Sequence, residues 1–196
     1  PKYPGLSKYK DNIHAIELGG ENIFGDVKVK FLEIRHSTPE SCSLAFFWKD
    51  LKILHTADFK IDYHEFEDGF LAIDRFDVFD GERPDIVFMD STNAERNGQS
   101  ISETEIKDHL EEVLRRSEGR VFITLFSSNV YRIAMLAHLA EKQGRKICLA
   151  GRAMKQIYHA ASNLGIFQKC PPFSPSSIIE PEESINLDPK KVLVVC

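Results

Sequence analysis

Residues 120–150, RVFITLFSSNVYRIAMLAHLAEKQGRKICLA, contain the pattern that decides the fold of this chain of 196 residues. The apolar run over 120–126 predicts a strand, and residues 130–142 have apolar side chains at helical spacing. A second apolar run over 145–150 predicts another strand. A strand, a helix and a strand in this order indicate a parallel sheet with helices packed on its faces.

The same alternation continues on both sides of this stretch. Ser102 to Glu105 match a capping box, which predicts the start of a helix. A further helix is predicted through residues 154–161, with Gly165 suited to the position just past its end. A last strand is predicted over 191–195.

The segment after Gly165 is predicted to be irregular. Prolines within 170–175 exclude a helix there, and the acidic run 180–183 predicts a solvated loop. Because natural chains seldom stop inside an apolar strand, the predicted strand at the end indicates a piece of a longer protein.

Short strands dominate the first ninety residues. Apolar or alternating runs predict strands over 27–34, 43–48, 51–54 and 85–89, and the tight connection at 48–51 predicts a hairpin. The chain is therefore predicted to be α/β, with one domain over residues 1–95 and a second, parallel-sheet domain over residues 96–196.

The composition narrows the classes of function. The net charge of −5 argues against binding nucleic acid by bulk electrostatics, so any contact with nucleic acid must be local. The four cysteines form no CxxC pair, which argues against a disulfide framework or a zinc finger. No apolar run approaches the roughly 20 residues that span a bilayer. We therefore expect a cytoplasmic protein without membrane contact.

Three candidate metal ligands each follow a predicted strand. His36, Asp58 and Asp90 offer imidazole and carboxylate groups, which suit zinc or manganese. Polar residues at the ends of strands often build sites in α/β folds. Each of the three, taken alone, is better explained as a turn or capping residue, and it is their combination that favours a metal site.

A candidate phosphate contact lies between a predicted strand and the helix after it. Ser127, Ser128 and Asn129 bring hydroxyl, amide and backbone N–H groups to a helix N-terminus, where anions bind. The alternative is that Ser128 or Asn129 caps the helix, and both roles can hold together. Three basic side chains either add charge to this edge or are solvated helix residues: Arg132, Arg152 and Lys155.

The ordered motifs resemble those of the ribonuclease J family from about residue 27 to the end. They are His-Ser-x-Pro at 36–39, His-Thr-x-Asp-Phe-Lys-x-Asp at 55–62, Asp-Ser-Thr-Asn-Ala-Glu at 90–95, Ser-Glu at 102–103, Phe-x-Ser-Asn-Val-x-Arg at 126–132, Gly-Arg-Lys at 144–146 and Gly-Arg-x-Met at 151–154. The resemblance implies part of a metallo-β-lactamase β-sandwich followed by a β-CASP domain. It also implies RNA cleavage as a 5′-to-3′ exonuclease and as an endonuclease.

The resemblance also implies roles for single residues. His36 and Asp58 would hold two zinc ions, with Asp58 as the bridging carboxylate, and Asp90 would orient the ligands around it. Lys60 and Asp62 would support the metal loop, or form a surface salt pair. The segment Ser127 to Asn129 would contact the RNA backbone.

Departures from the family limit what this chain alone is expected to do. The His-x-His-x-Asp-His signature is absent, and His14 stands alone. We therefore expect this piece to be inactive in isolation, with no tightly bound zinc. Ala57 replaces a usual Gly, a change that should be tolerated unless the backbone there is left-handed. Tyr131 replaces a usual His and keeps an aromatic surface that can stack on a base.

The sequence favours metal-dependent hydrolysis of RNA by the intact protein. One rival is a non-catalytic RNA-binding or assembly partner in a ribonuclease complex. A second is a hydrolase of small esters or thioesters, against which the phosphate-contact segment counts. RNA is the expected partner, and a homo-oligomer or a ribonuclease complex is the expected assembly.

Overall fold

The computed structural model describes residues 8–9, 11–61, 72–98 and 100–196, which group into two compact units. The first contains residues up to 35 together with 40–97, and the second contains 36–39 together with 98–196. The domain limit predicted between residues 95 and 96 stays a prediction for the intact protein.

The described strands of the first unit lie side by side in chain order. They are β1 (Glu21–Phe24), β2 (Val27–Glu33), β3 (Cys42–Trp48), β4 (Leu51–His55) and β5 (Ile86–Phe88). β1 to β4 are antiparallel neighbours, whereas β5 runs parallel to β4. The four predicted strands are confirmed. β1 was not predicted, since its four residues begin with polar Glu21 and Asn22.

The hairpin predicted between β3 and β4 is confirmed. Trp48 pairs with Leu51, so Lys49 and Asp50 alone form the turn. Lys49 takes the left-handed backbone that such tight turns use, with φ at 52°. The inward residues of these strands form a small core with one residue from the later loop: Leu32, Ala45, Leu54 and Phe79.

The second unit alternates strands and helices, as predicted. Its elements are α1 (Glu103–Arg116), β6 (Val121–Ile123), α2 (Val130–Lys142), β7 (Lys146–Leu149), α3 (Arg152–Asn163), β8 (Ile178–Ile179), α4 (Pro181–Asn186) and β9 (Val192–Val195). The described strands form a parallel sheet in the order β6-β9-β7-β8. The fold class predicted for this half is therefore confirmed.

Local sequence signals position the helices. The Ser102 hydroxyl accepts the Glu105 N–H at 3.1 Å, and the Glu105 carboxylate accepts the Ser102 N–H at 3.0 Å, which confirms the capping box. α2 begins and ends where its spacing predicts. Apolar side chains from α1, α2 and the sheet form the main core of this unit, including Leu114, Ile133, Leu136, Ile147 and Leu193.

Two expectations are corrected. The acidic run 180–183 was predicted to be a solvated loop, but most of it belongs to α4. The helix begins with Pro181 and has Glu182 and Glu183 in its first turn, where a fixed φ and negative charge favour helix formation. The strand predicted over 120–126 is shorter in the structure, where β6 ends at Ile123.

The parallel arrangement brings two loops to one edge of the second sheet. β6 and β7 both flank β9 in parallel, so their carboxyl ends lie at the same edge. The loop 124–129 follows β6, and Ala150 and Gly151 follow β7. No helix in the described parts of the chain is long and apolar enough to cross a membrane.

Candidate functional site

The loop after β4 carries Asp58, and two neighbouring side chains fix its shape. The His55 Nδ1 accepts the Ala57 N–H at 3.0 Å, while the Thr56 hydroxyl donates to the Ala57 carbonyl at 2.9 Å. Both polar groups of Ala57 are therefore held by the two residues before it. Asp58 follows directly and is exposed to solvent.

The backbone of Ala57 is left-handed, so the methyl group of this alanine has a steric cost. Its φ is 52°, in the left-handed region, where a Cβ costs about 1–2 kcal/mol. The expectation of a tolerated methyl depended on this angle not being left-handed. The hydrogen bonds from His55 and Thr56 explain how the turn persists with alanine in place of glycine.

Thr56 joins this loop to the ends of two other strands. Its N–H donates to the Phe88 carbonyl at 2.9 Å, and its hydroxyl accepts the Asp90 N–H at 3.0 Å. The buried Ser43 hydroxyl donates to the Thr56 carbonyl. The loops that carry Asp58 and Asp90 are thus brought together through one side chain.

The Asp90 carboxylate stabilises its own loop. Its Oδ1 accepts the Thr92 N–H at 2.9 Å and the Thr92 hydroxyl at 2.6 Å, which is an Asx turn. Asp90 is half-buried. The alternative of a turn residue therefore holds for this carboxylate, and its role toward other ligands stays a prediction.

The metal ligands expected from the sequence fall in different units. Half-buried His36 lies between β2 and β3 and groups with the second unit, whereas Asp58 belongs to the first. Among the described residues, no group of three or more His, Cys, Asp or Glu side chains is arranged to hold a metal ion. The donor chemistry of His36 and Asp58 suits zinc, but the described donors do not complete a site. Asp62 lies outside the described residues.

The candidate phosphate loop, Ser127 to Asn129, caps α2 through its last residue. The Asn129 Oδ1 accepts the Arg132 N–H at 3.2 Å, and the Asn129 N–H donates to the Phe126 carbonyl at 2.9 Å. The Ser128 carbonyl accepts the Val130 N–H at 2.9 Å. The capping role is therefore real for Asn129. The half-buried hydroxyls of Ser127 and Ser128 are the groups that suit an additional phosphate contact.

Carboxylates neutralise two of the three basic side chains predicted near this edge. Arg132 Nη2 donates to both oxygens of Glu103, at 2.7 and 2.9 Å. Lys155 pairs with Glu180, and this hydrogen bond raises the pKa of the lysine. Arg152 is exposed at the start of α3. It follows Gly151, whose φ of 100° and ψ of 144° favour glycine.

Two residues beside these loops were not singled out from the sequence. Thr56 was part of a quoted motif, but nothing in its spacing shows that its hydroxyl is shared between two loops. The second residue, Phe126, is 82% exposed directly before the candidate phosphate loop. Tyr131, already a stacking candidate from the sequence, is 41% exposed just after the loop. Aromatic side chains of this kind stack on nucleobases in single-strand binding proteins.

A comparison with known families defines the class of the second unit. The family described as "Ribonuclease J, beta-CASP domain" matches residues 118–196, which include the whole parallel sheet. This half of the chain is therefore a β-CASP domain, in agreement with its fold.

Curated relatives extend the likeness toward the N-terminus. Ribonuclease J of Sinorhizobium meliloti is 36% identical over 76% of this chain and 26% of its own length. Ribonuclease J 1 of Streptococcus pyogenes is 31% identical over 94% of this chain and 32% of its own length. The chain belongs to the ribonuclease J family, and it spans about a third or less of these relatives.

A solved structure shows that the fold is shared more widely. The crystal structure of a protein of unknown function from Enterococcus faecalis V583 matches this chain with a TM-score of 0.65. The match covers 94% of this chain and 44% of the chain in that structure. Because the identity is 16%, this likeness concerns the fold alone.

Proposed function

We propose that the intact protein containing this chain hydrolyses phosphodiester bonds in RNA with the help of bound metal, as a 5′-to-3′ exonuclease and endonuclease. The observation that carries the proposal is the joining of the Asp58 and Asp90 loops at the carboxyl ends of neighbouring parallel strands. Such strand ends are where α/β folds assemble reactive groups. Relatives named ribonuclease J support RNA as the substrate.

Different residues of this chain would have different roles in the reaction. His36 and Asp58 would each hold metal, and Asp90 would fix the loop that is joined to the Asp58 loop through Thr56. When bound, two zinc ions would supply Lewis-acid stabilisation of charge on the phosphate and activation of the attacking water. The remaining ligands would come from parts of the protein other than the described residues, so this chain alone would be inactive.

The loop from Ser127 to Asn129 would grip the RNA at a distance from the reacting bond. The Ser127 and Ser128 hydroxyls would donate to a phosphate, and Asn129 would keep the loop in place by capping α2. Holding the strand in register contributes to the rate by proximity. We place the protein in the cytoplasm, as a homo-oligomer or within a ribonuclease complex.

The test uses the full reading frame that contains this sequence. We expect metal-dependent release of nucleotides from 5′-monophosphorylated RNA, and we expect Asp58→Ala to lower the rate by about 100-fold or more because a metal ligand is lost. Asp108→Ala is the matched control, since Asp108 lies on the exposed face of α1. Equal cleavage by Asp58→Ala and the control would refute the proposed role of Asp58.

The same assay separates the rival function. A non-catalytic RNA-binding or assembly partner would bind the RNA, with or without zinc or manganese, and release no nucleotides. Binding without cleavage by the unaltered protein would therefore replace the hydrolase proposal with the partner.

A further inference from the structure

Thr56 uses every polar group it has at the end of β4. The residue is 2% exposed, although Asp58 two positions later is exposed. The hydroxyl accepts the Asp90 N–H and donates to the Ala57 carbonyl, while the backbone carbonyl accepts from Ser43. Buried polar groups in native proteins are normally satisfied in this way, and losing one partner is costly.

The hydroxyl replaces a backbone acceptor in the parallel ladder. His55 pairs with Phe88, and the Thr56 N–H still donates to the Phe88 carbonyl at 2.9 Å, as a parallel ladder requires. In a regular ladder the next bond would run from the Asp90 N–H to the Thr56 carbonyl. The Asp90 N–H donates instead to the Thr56 hydroxyl at 3.0 Å.

This exchange allows the two loops to separate while the Thr56 carbonyl and the Asp90 N–H each keep a hydrogen-bond partner. The Thr56 carbonyl is taken by the Ser43 hydroxyl from β3, and the chain turns away at Ala57 with φ at 52°. The same hydroxyl that receives Asp90 also holds the carbonyl of Ala57. One oxygen atom therefore fixes the start of the Asp58 loop relative to the start of the Asp90 loop.

We propose that Thr56 is a positioning residue, whose hydroxyl sets the placement of Asp58 relative to Asp90. The inference rests on the proposed function for its effect on cleavage, and on the hydrogen bonds alone for its effect on structure. A hydroxyl is required, because valine has the same shape but leaves the Asp90 N–H without an acceptor. Serine retains the hydroxyl and should retain the placement.

The experiment compares Thr56→Val, Thr56→Ser and Thr104→Val in the full reading frame. Thr104 is the control because it is an exposed threonine on α1. We expect Thr56→Val to lower kcat by about 10- to 100-fold, the usual effect of losing a group that supports a metal ligand, with little change in KM. Thr56→Ser should restore most of kcat, and Thr104→Val should match the unaltered protein.

Amide hydrogen exchange gives a reading that does not depend on activity. The Asp90 N–H should be protected in the unaltered protein, and Thr56→Val should speed its exchange while the amides of β2 and β3 stay protected. If Thr56→Val does not fold, the exchange rate of the Asp90 N–H in the unaltered protein still tests the proposal. An Asp90 N–H that exchanges as fast as an open loop would overturn the proposal.

The outcomes separate this inference from the proposed function. If Asp58→Ala abolishes cleavage but folded Thr56→Val keeps full kcat, the positioning role is wrong and the hydrolase proposal stands. If Asp58→Ala has no effect while Asp90 exchange depends on the Thr56 hydroxyl, the structural role is right and the assignment of Asp58 is wrong.

Discussion

Ala57 has a left-handed backbone, and this single angle leads to a prediction about stability. Glycine adopts a φ of 52° without steric cost, whereas the alanine Cβ is strained there. We expect Ala57→Gly to raise the free energy of unfolding by about 0.5–1 kcal/mol, because the relief of strain exceeds the added entropy of the unfolded chain. Urea denaturation of the 196-residue chain would measure the change.

Ala153→Gly is the matched control for this prediction. Ala153 is exposed in the first turn of α3, where glycine is less favourable than alanine. The two substitutions should therefore shift stability in opposite directions. A loss of stability in both would mean that the bonds from His55 and Thr56 make alanine the better residue at position 57.

Side-chain roles at the candidate site were only partly predictable. The position of Asn129 ahead of an apolar helix predicted a cap, because that signal is local. The left-handed φ of Ala57 was not predictable, since alanine carries no preference for it. The shared hydroxyl of Thr56 depends on β4 and β5 lying side by side, and Ile86 at the start of β5 comes 30 positions after Thr56 in the sequence.

At the scale of elements, one buried arginine connects the end of α1 to the turn before β7. Arg145 is 5% exposed and donates to the carbonyls of Leu114 at 3.1 Å, Ser117 at 2.5 Å and Gly119 at 2.9 Å. The carbonyls at the end of a helix lack partners within it, and a positive charge there is favourable. The Gly-Arg-Lys motif thus has a structural role in this chain.

We expect Arg145→Ala to lower the free energy of unfolding by about 3 kcal/mol, since bonds from a charged donor contribute about 1.5–3 kcal/mol each and are not additive. Thermal or urea denaturation would measure the loss. Arg116→Ala is the control, because its pair with Glu112 is exposed to solvent and should contribute little. Similar small losses for both variants would show that water replaces Arg145 at the helix end.

Elements with a complete local signal were predicted well. The capping box fixed the start of α1, and apolar spacing fixed both ends of α2. The short elements β1, β8 and α4 were missed, because two to six residues are too few for a period to show. For α4, Pro181 followed by two acidic residues is a signal for the start of a helix. The negative charge of the run was interpreted instead as a solvated loop.

At the scale of the whole molecule, charge limits how the proposed RNA contact can work. The chain has a net charge of −5, and Arg132 and Lys155 already pair with Glu103 and Glu180. Two of the three basic side chains predicted near the candidate phosphate loop are thus already neutralised by carboxylates of this chain. Hydroxyl donors and exposed aromatic surface should therefore provide much of the contact, and neither adds to the salt dependence, because that dependence comes from phosphates neutralised by Lys and Arg.

This balance predicts a weak dependence of RNA binding on salt. Each neutralised phosphate of a single strand contributes a slope of about −0.7 to log K against log salt concentration, so we expect a total of about −1 to −2. Fluorescence anisotropy with labelled single-stranded RNA, from low to moderate salt, would measure the slope for the unaltered protein and for Arg152→Ala. Losing the exposed Arg152 should make the slope shallower by about 0.7 if it contacts a phosphate. A slope many times steeper would show that binding is dominated by basic residues outside the pairs and loops described above, because the local contacts alone cannot produce it.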